Sequence, residues 1–116
     1  MTNALHYSDG KSGVDQIPPE ILLELGEIYT YGAFKYGRDN WKAGTNWHEF
    51  YGSALRHLFA YWSGQDYDHC DDSEGCEGRL AARCKKHSRM HHLAHALWNI
   101  GTLRYYQMNG LGVDTR

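Results

Sequence analysis

The run His92-Leu93-Ala94-His95, with Asn99 one turn further on, sets three nitrogen-bearing side chains at i, i+3 and i+7. That spacing puts them on one face of a helix. Imidazole is the commonest biological metal ligand. Upstream, Arg56-His57 lies inside another helical stretch, and Asp66 and Asp68 follow its end. Helices joined by a turn-rich loop can bring such groups into one pocket. The result would be a mixed histidine and carboxylate site that polarises a phosphoryl oxygen or activates water. The plainer alternative is hydrogen-bonded histidines of a core or surface. Glu24 and Glu27, at i and i+3, could share a hard divalent cation; the plainer alternative there is a solvated acidic face.

Two further groups carry chemistry. Tyr31-Gly-Ala-Phe-Lys-Tyr-Gly37 runs into Asn40-Trp41. Lys35 can meet a phosphate as a point charge, Trp41 or Trp47 can stack on a base, and Asn40 can read a base edge or cap a turn. Helix-end packing would explain the glycines and the asparagine, but less readily two tryptophans in a polar loop. Cys70, Cys76, Cys84 and His87 form a chemically reasonable Cys₃His set for structural Zn²⁺, although only Cys84-x2-His87 has familiar ligand spacing.

Composition limits what these groups can serve. The 116 residues fit one domain, with 41% apolar residues for a single core. A domain this small buries a modest share of its surface, so a homo-oligomer that shares its core is expected. The net charge of −2 lacks the basic excess of a nucleic-acid binder. An anionic substrate therefore needs a local basic cluster or a cation. No stretch approaches the ~20 apolar residues of a membrane span, and Met1 to Gly13 has no apolar signal core, so a cytoplasmic setting is expected. Three cysteines in such a setting favour metal or free thiols over disulfides. Aromatics reach 14%, and six of the eight histidines fall between His57 and His95.

The elements that must position these groups are helical. Residues 1–16 read as a flexible lead-in to a single helical domain over 17–116. Pro18-Pro19 opens a first helix, with Leu22, Leu25, Tyr29, Ala33 and Tyr36 as its expected buried stripe and Gly37 as its stop. A second helix is expected from about Trp47 to Ser63, with Ala54, Leu55, Leu58, Phe59 and Trp62 facing the core. A third runs from near Met90 to about Met108 on Leu93, Leu97, Ile100 and Leu103. Between the last two lies a polar, Cys-bearing insertion at about 69–89. No alternating run demands a sheet. The expected class is all-α: a small antiparallel bundle of three to four main helices with that insertion between the second and third.

Taken in order, Pro18-Pro19, Glu24, Thr30-Tyr31-Gly32-Ala33, Lys35-Tyr36-Gly37, Asn40-Trp41, Leu55-Arg56-His57, Tyr61-Trp62, Gly64, Asp68 and His92-Leu93-Ala94-His95-Ala96 resemble the phage dATP/dGTP diphosphohydrolases. That family is similar to the MazG-type all-α nucleotide pyrophosphohydrolases. The resemblance covers most of residues 18–105. It implies metal-dependent hydrolysis of purine deoxynucleoside triphosphates to the monophosphate and pyrophosphate, with Mg²⁺ or Mn²⁺, in a host cytoplasm if the chain is phage-encoded. On that reading His57, Asp68 and His95 are catalytic, and His57, Asp68, His92, His95 and Glu24 hold the metal. Lys35 and Arg56 hold phosphates, and Asn40 with Trp41 lines the nucleoside pocket. Two departures stand out. Gln65 replaces an acid that usually follows the glycine, and the Cys-bearing insertion replaces a short loop. The competing reading is a zinc-stabilised nucleic-acid or protein binding module without catalysis, using the basic stripe Arg79, Arg83, Lys85, Lys86 and Arg89.

Overall fold

In the computed structural model, residues 10–68 and 87–116 are described. Three helices organise them: α1 (Pro19–Tyr36), α2 (Trp47–Trp62) and α3 (His92–Asn109). Short 3-10 turns at Val14–Gln16 and Asn40–Lys42 complete the secondary structure, and there is no strand among the described residues. The fold is all-α, as the periodicity requires.

The helix ends follow local chemistry. Pro19 starts α1, where a missing N–H is no loss. Gly37, at φ 94°, ends it and donates its N–H to the Ala33 carbonyl. His91 caps α3 through Nδ1, which accepts the Leu93 N–H at 3.0 Å. Gly110 closes α3 in the left-handed conformation.

α3 is the shared element: it packs extensively along α2 and more lightly against α1. Which residues face inward differs from the expectation. On α3 the buried set is His92, Ala94, Ala96, Asn99, Thr102 and Tyr106, whereas Leu93, Leu97 and Ile100 are exposed. On α2 it is Phe50 and Ala54, with Leu58, Phe59 and Trp62 outward. On α1, Ile28 and Tyr31 are buried while Leu22, Tyr29 and Tyr36 are exposed. The physical reason is that the interior is aromatic, small and polar. The large aliphatic side chains are therefore left on the outer faces.

Two connections shape the site. Beyond α2, residues 66–68 pair with 89–92: Asp68 N–H donates to Met90 O, Arg89 N–H to Asp68 O and His92 N–H to Asp66 O. The tail after α3 folds back on the loop before α2. There Val113 N–H donates to Thr45 O, Trp47 N–H donates to Val113 O, and the Trp47 indole N–H donates to Leu111 O. Among the described residues no helix is long and apolar enough to cross a membrane.

Candidate active site

A cleft of about 1230 Å³ opens between the helices. α1 supplies Lys35, the following loop supplies Asn40 and Trp41, and α2 supplies Arg56 and His57. The short clip beyond α2 brings in Asp68, and α3 contributes His95. Seven of the side chains singled out in the sequence therefore line one cavity. His92 is buried and does not line it but touches its wall, with Nδ1 2.8 Å from His57 Nδ1. Glu24 and Glu27 are exposed on α1 and lie outside the cleft.

The imidazoles form a compact cluster. His57 and His95 stack with ring centroids 4.4 Å apart, and His57 and His92 are tilted at 5.1 Å. Burial pushes His57 down to about 4; His92 adds to the shift, Asp68 opposes it and Arg56 contributes further. Burial likewise lowers His95 to about 4, with His57 adding, Asp68 opposing, and His92 and Lys35 contributing. Both rings are neutral at pH 7 and have a nitrogen lone pair.

Ser88 joins this cluster to the carboxylate, and nothing in the sequence reading marked it. It is buried, and its N–H donates to Asp68 Oδ2 at 2.9 Å. Its hydroxyl lies 3.2 Å from the same oxygen and 2.5 Å from His95 Nε2, and it accepts the Met90 N–H. A lone serine in a polar stretch gives no periodic or motif signal. Glu49, Ser53 and Tyr106 also line the cleft without having been marked. Asn99, noted one turn beyond His95, lines it too and donates to the His95 carbonyl.

The cleft also has an aromatic part. Trp41 meets Tyr29 edge-on at 5.5 Å and Tyr105 at 5.2 Å, and Tyr29 meets Trp98 at 5.8 Å. Lys35, Arg38 and Arg56 supply positive charge to the cleft, and Asp39, Glu49 and Asp68 supply negative charge. Within the described residues, no salt bridge engages Lys35 or Arg56.

The fit to a resident metal is poor as the side chains stand. Among the described residues no group of three or more His, Cys, Asp or Glu could hold a metal ion. The donors pair with one another instead: His57 with His92, and His95 with Ser88. Cys70, Cys76 and Cys84 lie outside the described residues, as do Arg79, Arg83, Lys85 and Lys86; His87 is half-buried and Arg89 exposed.

The sequence profile of a family described as dATP/dGTP diphosphohydrolase, N-terminal, matches residues 2–116. No curated protein and no solved structure gives a significant match.

Proposed function

The chain belongs to the dATP/dGTP diphosphohydrolase N-terminal family, and from that premise we propose that it hydrolyses purine deoxynucleoside triphosphates to the monophosphate and pyrophosphate. The observation that carries this reading is that three kinds of group line one cleft. The aromatic part, with Asn40 and Trp41, suits a nucleoside. Lys35 and Arg56, without salt-bridge partners among the described residues, suit phosphates. The cluster of His57, Asp68 and His95 suits a water.

The chemistry follows from these groups. The base lies against Trp41, and sequence-tolerant stacking supplies much of its hold. Lys35 and Arg56 draw the triphosphate along the cleft and offset charge on the phosphate oxygens. Water attacks the α-phosphorus, its proton passes to an imidazole of the cluster, and the bond from the α-phosphorus to the bridging oxygen breaks, releasing pyrophosphate. A free imidazole near 4 is a weak base. An anionic triphosphate alongside raises it towards the working range, so the base strengthens when substrate arrives. His92 supports His57, and Asp68 acts on His95 through Ser88.

The divalent cation, Mg²⁺ or Mn²⁺, belongs to the proposal as a companion of the triphosphate, since Mg²⁺ commonly binds through substrate phosphates; no step is assigned to one held by the imidazoles and Glu24. Structural Zn²⁺ on Cys70, Cys76, Cys84 and His87 is a separate proposal: metal analysis of purified protein should give one zinc per chain, and none in a Cys76→Ser, Cys84→Ser double variant. Self-association into a homo-oligomer and a cytoplasmic location complete the reading.

The central test is direct. Purified protein with dATP, dGTP, dCTP, dTTP and the ribonucleotides, plus Mg²⁺ or Mn²⁺, should release pyrophosphate fastest from the purine deoxynucleotides. No release from any nucleotide would remove the proposal.

A further inference from the structure

We propose that Tyr106 is a positioning residue whose hydroxyl latches the loop forming the nucleoside part of the cleft. This rests on the reading above that Asn40 and Trp41 hold the nucleoside. Tyr106 is 1% exposed, and its ring packs edge-on against Phe50 at 4.8 Å. Its hydroxyl donates to the Trp41 carbonyl at 2.6 Å and accepts the Gly44 N–H at 3.1 Å. One oxygen on α3 thus holds both ends of the turn Trp41–Gly44, more than sixty residues away in sequence.

The other hydrogen bonds of this turn stay within the loop: Asn40 N–H to Gly37 O, Lys42 N–H to Asp39 O and Ala43 N–H to Asn40 O. They define a turn but do not tie it to the bundle. Thr45 and Trp47, by contrast, are fixed to the returning tail at Val113. Among the described residues the tyrosine is therefore the anchor that ties the backbone of this stretch to α3. A tyrosine is suited to this because its hydroxyl both donates and accepts. Phenylalanine would keep the ring and leave the Trp41 carbonyl and Gly44 N–H without that partner.

The consequence concerns binding rather than bond cleavage. Tyr106→Phe should raise KM for dATP and dGTP by roughly three- to tenfold, as expected for losing one or two hydrogen bonds, while kcat stays nearly unchanged. Thr102→Val is the control. Thr102 lies one turn earlier on the same buried face, and its hydroxyl has no hydrogen-bond partner among the described residues.

Two measurements keep the inference apart from the hydrolase reading. The first is amide hydrogen exchange at Gly44, which needs no nucleotide. In the wild-type protein Gly44 should be protected, and in Tyr106→Phe it should exchange much faster, with Thr102→Val unchanged. The second is steady-state pyrophosphate release with dATP and dGTP. Faster exchange with a raised KM and a steady kcat supports the latch. An unprotected Gly44 in the wild-type protein overturns it, whether or not the variant folds. Unchanged KM, or a fall in kcat equal to the change in kcat/KM, overturns the positioning role. If the wild-type protein turns over no nucleotide, the hydrolase reading fails and the nucleoside role assigned to this loop fails with it, while exchange still reports whether the hydroxyl holds the turn.

Discussion

His57 Nδ1 and His92 Nδ1 stand 2.8 Å apart across the α2–α3 interface. One ring must donate and the other accept, so this contact uses a single proton between two imidazoles. Adding a second would set two N–H donors against each other and leave one ring charged at a half-buried site.

Burial of the histidine cluster, reinforced by such contacts, sets an acid limit on stability. His57 and His95 both sit at about 4 in the folded protein against 6.5 unfolded. The unfolded chain therefore binds protons first as pH falls. Stability from the neutral cluster is fully present above 6.5 and is lost as pH drops towards 4. Urea denaturation midpoints should fall steadily between pH 7 and pH 4.5. His95→Asn should flatten that slope; an unchanged slope would mean the ring is not desolvated as described.

Ser88 yields a kinetic prediction. Ser88→Ala removes the oxygen between Asp68 and His95 while keeping the backbone N–H that donates to Asp68. His95 loses its Nε2 partner but the carboxylate keeps one contact. Pyrophosphate release should fall about tenfold, less than the roughly 100-fold or more expected of His95→Ala. Ser88→Thr, which retains a hydroxyl, should recover most of the loss. Equal activity in Ser88→Ala and wild type would show that the hydroxyl does not orient the imidazole.

Helix positions were legible because their end signals are local. Pro19 and Gly37 bracket α1 without reference to the rest of the chain. The cleft residues Lys35, Asn40, Trp41, Arg56, His57, Asp68 and His95 were legible because their types are poor choices for a plain core. The inward faces were not. Leu93, Leu97 and Ile100 have helical spacing, but so do Ala96, Asn99, Thr102 and Tyr106, and periodicity cannot rank two faces when the interior is small and polar. Ser88 and Tyr106 act through contacts with distant residues, which no local pattern encodes.

The misread faces give a prediction of their own. Leu93, Leu97 and Ile100 on α3, with Phe59 and Trp62 on α2, leave large aliphatic and aromatic side chains exposed, Trp62 to 87%. Apolar surface of this kind marks association. Sedimentation at micromolar protein should show more than one chain per particle. The double variant Leu97→Glu, Ile100→Glu should sediment as a single chain with its helical content intact. A wild-type monomer at all concentrations would reject the proposed self-association.

Gly112 tests the tail that closes the same loop. Its φ is +68°, a conformation that L side chains rarely adopt. A Cβ there would collide with the Thr45 carbonyl oxygen and come within 3.0 Å of the Tyr106 ring. The carbonyl cannot retreat freely, because it accepts the Val113 N–H. Gly112→Ala therefore combines backbone strain with a displaced loop, and should destabilise the protein by about 2 kcal/mol or more. Gly110→Ala provides the comparison. It too has positive φ, at +62°, but a Cβ there meets nothing within 4 Å. Its loss should be the smaller, about 1 kcal/mol from the left-handed conformation alone. Equal denaturation midpoints for the two variants would mean that the tail does not pack against Thr45 and Tyr106 as described.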